Sequence, residues 1–138
     1  MQEWILKHFP DLPISVSFVW IDFLDNDRFE MAKRAAGRIQ DPRVKHFHDA
    51  RDKILAGNAF ANGLIRKHNG PAWDVYLFYA KGVTWDDTPP MPTIWWHQLS
   101  GNRRAHPKYF AKGKLPEKLH DTMHTLTGIP CNDTKKSE

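Results

Sequence analysis

Apolar residues fall along this chain in two rhythms. Ile14 to Ile21 (ISVSFVWI) is dense in β-branched and aromatic residues, the composition of a central strand buried on both faces. After the turn Phe23-Leu24-Asp25-Asn26, the residues Phe29, Ala32, Ala36 and Ile39 recur at spacings of three and four. That spacing predicts a helix with one apolar face and with Lys33 and Arg34 turned outward. Asp27 or Asn26 is placed to cap it. Pro42 ends the helix, and Val44 to His48 reads as extended. A second helix follows through Ile54, Leu55, Ala59, Phe60 and Leu64, weakened by Gly57 and Gly63 and closed near His68-Asn69-Gly70-Pro71. Two strand-helix units in succession imply parallel strands joined by right-handed crossovers.

The rhythm then changes. Residues 72–80 (AWDVYLFYA) and 92–99 (PTIWWHQL) are strong strand signals with a Gly, Pro and Asp-rich connection between them, most simply antiparallel neighbours. Leu115, Leu119, Met123 and Leu126 form one helical stripe, with Pro116 near its start and Gly128 as its stop. The predicted order is βαβαββα over a single α/β domain, residues 13–128. An extension over 1–12, with a short helix at 2–9 ended by Pro10, precedes it. A flexible tail over 129–138 follows.

Composition adds exclusions. At 138 residues one core is expected, and 41% hydrophobic residues place the chain outside the range of disorder. Cys131 is the single cysteine, so a disulfide within the chain, a dithiol pair and a cysteine-based zinc site are all excluded. No run of about 18 apolar residues is present, and the amino end lacks the pattern of a signal peptide. The chain reads as soluble, either cytoplasmic as given or exported with a leader removed. A formal charge of +4 permits an acidic partner without demanding one, and eight histidines make the charge sensitive to mild acid.

The element order over residues 13–128 resembles the thioredoxin fold, which implies a central mixed sheet with helices on both faces. In that family a Cys-x-x-Cys pair opens the helix after the first strand. Phe23 and Asn26 occupy those two places here. Thiol-disulfide exchange needs a thiolate, and none of Phe, Leu, Asp or Asn replaces it, so dithiol oxidoreductase chemistry is excluded at this turn. Pro71 matches the position of the family's cis-proline. The strings Asp41-Pro42-Arg43-Val44, His48-Asp49 and Trp73 to Tyr76 also look like an uncharacterised thioredoxin-like branch that carries no known activity. The resemblance implies a thiol-free domain that binds a protein or small ligand through its aromatic hairpin and the Pro71 region. Phe23, Asn26, Pro71, Trp73, Trp85 and Trp95 are the candidate ligand-binding residues. Trp85 lies in a connection longer than a tight hairpin needs, which reads either as a binding element or as a cover over a sheet edge.

A second reading is metal binding. His46 and His48 share a strand face, with Asp49 as third donor or as the group that orients an imidazole, and His97 brought near by the sheet, a set that suits zinc or copper. The plain alternative is a hydrogen-bonded strand end. His120 and His124 stand four apart on the last helix, the spacing that chelates one ion, without the glutamate of a metalloprotease motif. Asp25 and Asp27 read either as carboxylate ligands or a general base, or simply as helix caps. A third reading is nucleic-acid binding by the basic stretch 103–118, with Tyr109 and Phe110 interleaved. No nucleic-acid motif accompanies it, so a solvated basic loop is the default and a nucleic-acid partner is not the expectation.

Overall fold

The computed structural model describes residues 5–50, 55–64, 71–99 and 101–129. Its elements follow the predicted order: β1 (Val16–Ile21), α1 (Phe29–Ala36), β2 (Val44–Asp49), α2 (Leu55–Leu64), β3 (Val75–Phe78), β4 (Ile94–His97) and α3 (Leu115–Thr127). Two short 3-10 turns, Gly101–Ala105 and Lys112–Lys114, lie between β4 and α3.

β1 and β2 run parallel, pairing Val16 with Val44 through Ile21 with Asp49. β3 and β4 run antiparallel, pairing Val75 with His97 through Phe78 with Ile94. Among the described residues, two separate two-stranded sheets stand in place of the expected central mixed sheet. The two sheets meet through side chains rather than through a ladder: Ile14, leading into β1, packs on the core of the hairpin, and Phe23, leaving β1, packs on Trp73.

β1 also differs from a strand buried on both faces. Its burial alternates. Phe18 and Trp20 stack with His46 on the side facing α1, while the register partners Val19 and Phe47 are 38% and 51% exposed on the other. A two-stranded sheet covered on one side buries only every second residue.

The main core lies between the hairpin, α3 and residues 5–14. Ile5, Phe9, Phe78, Leu119 and Met123 are buried together, with Leu12, Ile14, Tyr76, Ile94, Trp96, Leu115 and Leu126 packed around them. The stripe read from the sequence of α3 is the face that α3 buries. Gly128 ends this helix at φ 66° and donates to the His124 carbonyl, a left-handed C-cap that suits glycine. The segment before β1 is thus built into the core, with a helical turn closed by Phe9 N–H donating to the Ile5 carbonyl at 2.9 Å.

Arg43 holds that segment to β2. Its guanidinium donates to the carbonyls of Leu6 (2.9 Å), Phe9 (2.6 Å) and Leu12 (3.4 Å), and forks onto Asp41 at 2.9 and 2.7 Å. Hydrogen bonds from Arg43, side chain first and backbone second, hold the Asp41 carboxyl down to about 2. A lowered folded-state pKa means the pair stabilises the fold above about pH 4, the ordinary carboxylate range, and that this contribution is lost as pH falls through about 2. Asp41→Asn should therefore flatten the loss of thermal stability between about pH 4 and pH 2. An unfolding series across that range in both proteins checks this; identical slopes would contradict it.

Candidate functional site

The turn after β1 is closed by its own chain. Asp27 Oδ2 accepts from the backbone N–H groups of Phe23 (3.1 Å) and Leu24 (2.7 Å). This corrects the expectation that Asp27 or Asn26 caps α1: the N-cap residue is Arg28, with no side-chain cap bond. Asp27 instead looks back into the turn, an aspartate bonding to nearby backbone outside a helix. The result is a rigid corner that leaves Phe23 39% and Leu24 54% exposed.

Phe23 meets Trp73 across 50 residues of sequence, ring centroids 5.9 Å apart. Trp73 follows the buried pair Pro71-Ala72, and Ala72 N–H donates to the Gly57 carbonyl of α2 at 2.8 Å. Asp74 next to it has φ 51°, the left-handed region that aspartate tolerates better than most residues. This bend sends the chain into β3, and the Asp74 carbonyl accepts from Gln98 N–H at 3.0 Å. No peptide bond is cis among the described residues; the bond before Pro71 involves Gly70, outside them.

The other candidate aromatics part company here. Trp95 is buried with Leu99 under Trp73, Val75 and Leu77 on the face of the hairpin opposite the main core. Trp85 is 52% exposed and leans edge-on against Tyr79 (5.1 Å) and Phe60 of α2 (6.1 Å). Asn26 is exposed in the turn. The structure thus joins Phe23 to Trp73 and sets Trp95 beneath Trp73 as support, while Trp85 belongs to a second aromatic group at the far end of β3.

The histidine readings resolve into separate local bonds. His46 Nδ1 accepts from Trp20 Nε1 at 3.2 Å and its Nε2 faces the Ile39 carbonyl at 3.4 Å, so both ring nitrogens are engaged. His48 Nε2 bonds Asp22 Oδ1 at 2.9 Å, and Phe29 of α1 stands edge-on to its ring at 5.2 Å. Asp49 turns away from both: Oδ1 accepts from Leu55 N–H (2.9 Å), and Oδ2 from Ala56 (2.9 Å) and Gly57 (3.2 Å). It is the N-terminal cap of α2, a carboxylate on the positive end of a helix dipole. His97, wholly buried in the hairpin, packs on Trp95, His106 and Tyr109. Its Nδ1 accepts from Leu99 N–H at 3.2 Å. On α3, His120 packs on His8 and Phe9 while His124 is exposed. Among the described residues no group of three His, Cys, Asp or Glu side chains is placed to hold a metal ion.

Sequence reasoning missed Asp22, Arg43 and His106. For Asp22 a signal existed, since it shares a strand face with Trp20, which the parallel register sets beside His48. Two surface clefts, of about 310 and 200 Å³, are lined by His8, Pro116, Glu117 and His120 and by residues 8–13 with Ile129. Neither touches Phe23, Trp73 or Trp85. Both lie between the segment before β1 and α3 or the residues that follow it; the first holds His8, Glu117 and His120, with the two imidazole rings 6.4 Å apart. In comparisons with known proteins, no family model, no curated protein and no solved structure matches the chain.

Proposed function

We propose that this protein is a non-redox domain of thioredoxin-like plan that binds an extended apolar segment of another protein at the corner formed by Phe23, Leu24 and Trp73. The observation that carries this reading is the contact of the exposed Phe23 with Trp73. It sets the turn after β1 against the segment before β3, the two places where the resemblance puts the working surface of the fold. The use we assign to the exposed Phe23 and the half-buried Trp73 is recognition. Such a surface offers large contact area at low conformational cost, because Phe and Trp have few rotatable bonds.

An extended peptide is assigned because Phe23 and Leu24 are consecutive exposed residues on one turn beside Trp73, so an extended apolar chain can lie across all three. Selection from a displayed random-peptide library tests the reading. Peptides rich in apolar residues should be enriched on the wild-type chain and lose at least about tenfold in affinity for a Phe23→Ser/Leu24→Ser variant. Enrichment of the same peptides on both chains would remove the corner from the account.

A further inference from the structure

Residues 103–118 contain six of the 20 lysines and arginines but one of the 16 acidic residues, so the formal +4 of the chain resides wholly in this stretch and the remainder is slightly acidic. The structure corrects one part of the expectation for it. Phe110 is buried against Tyr76, so it is not presented to a ligand, and the half-buried Tyr109 packs its ring on His97.

A different ring takes that place. Lys108 and Lys118 bring their ammonium groups over the indole of Trp96, at 5.0 and 4.2 Å from the ring centroid. They arrive from separate elements. Lys108 lies on a stretch bound to β4, its carbonyl accepting from His97 N–H at 3.0 Å, while Lys118 is in the first turn of α3. The indole itself is pinned: Trp96 Nε1 donates to Thr122 Oγ1 at 2.8 Å, and Thr122 Oγ1 donates to the Lys118 carbonyl at 2.7 Å. Trp96, Lys108 and Lys118 are all half-buried. Lys114 is paired with Glu117 at 2.9 Å, whereas among the described residues no carboxylate pairs with Lys108 or Lys118.

We propose that Trp96, Lys108 and Lys118 form a binding site for single-stranded nucleic acid. The two ammonium groups leave the indole for backbone phosphates, and an unstacked base takes their place on the ring. Cation–π contacts hold each lysine by about 0.5–2 kcal/mol, little enough for a phosphate to displace. A single strand is indicated because a duplex keeps its bases stacked and has no free face to offer one indole. A carboxylate-bearing protein would pair with the two ammonium groups but has no base to stack on the ring they uncover. Arg104 and Lys112, both exposed, add positive charge within the same stretch of sequence. This site is distinct from the Phe23–Trp73 corner and stands or falls separately.

Fluorescence anisotropy of the full chain with a labelled oligothymidine, followed as a function of salt, tests the site. Binding should weaken steeply with salt, and Lys108→Ala/Lys118→Ala should lower the slope of log K against log salt by about 1.4, because two phosphates are no longer neutralised by the protein. Trp96→Leu should weaken binding about fivefold or more at an unchanged slope. If that variant does not fold, Trp96→Phe gives the equivalent reading: binding retained, with the oligonucleotide-induced quenching of tryptophan emission largely abolished. No binding at low salt, an unchanged slope in the lysine variant, or equal affinity for polyglutamate or inorganic polyphosphate would overturn the proposal.

Discussion

Arg43→Ala is expected to cost about 2–4 kcal/mol of stability and to lower Tm by roughly 10 °C. One planar guanidinium serves four partners: the carboxylate of Asp41 and the carbonyls of Leu6, Phe9 and Leu12. Its removal takes a donor from each of these carbonyls beside a core that includes Ile5 and Phe9, each under 5% exposed, and leaves Phe9 and Leu12 only the backbone N–H groups of Leu12 (3.4 Å) and Ile14 (2.8 Å). Hydrogen bonds to a charged group contribute about 1.5–3 kcal/mol each in favourable cases, and several are lost together here. Arg43→Lys should recover less than half of the loss, because an ammonium is a point donor and does not reproduce the fork on Asp41 while reaching three carbonyls. Thermal unfolding of the three proteins checks both statements. A lysine variant as stable as wild type would mean that charge alone holds the segment before β1.

Asp49 gives the second large effect. Its two oxygens accept from three backbone N–H groups of the first turn of α2. Asp49→Ala should cost about 1–2 kcal/mol, toward the upper end for a cap because the site is buried. Asp49→Asn keeps one oxygen but loses the charge facing the helix dipole, so an intermediate loss is expected. Hydrogen exchange at Leu55, Ala56 and Gly57 is the local readout: these amides should exchange faster in both variants while those of β3 and β4 change little. An Asp49→Ala chain with unaltered protection at these amides would contradict the assigned role.

These two residues also show where the sequence was readable. Order and type of the elements were legible because each long element carries its own period: the stripe Leu115, Leu119, Met123 and Leu126 is sufficient to place the buried face of α3, and the alternation of Trp95 and Trp96 is sufficient to assign them to opposite faces of the hairpin. The sheet arrangement was not legible, since pairing between strands far apart in sequence leaves no local mark. β1 looked central because it is dense in β-branched and aromatic residues, yet Val19 and Phe47 lie on an exposed face.

The candidate site was legible in part. Phe23 and Trp73 meet and Trp95 lies beneath Trp73, whereas Trp85, singled out by its long connection, packs with Tyr79 and Phe60 instead. His46, His48 and Asp49 are adjacent in sequence but satisfied by three unrelated partners, Trp20, Asp22 and the start of α2. Spacing fixes which face a side chain takes and is silent on what waits there. Arg43 stood inside the string Asp41-Pro42-Arg43-Val44 without a role, because its carbonyl partners lie more than 30 residues away in sequence.

The most direct measurement of the central claim is an amide and indole NMR map of the ¹⁵N-labelled chain with a peptide selected on it. The account predicts that the largest shifts fall on Phe23, Leu24 and the Trp73 indole N–H, with Trp85 and the histidines of β2 little changed. Shifts centred on the Trp85, Tyr79 and Phe60 group, or spread evenly over the chain, would contradict binding at the corner after β1.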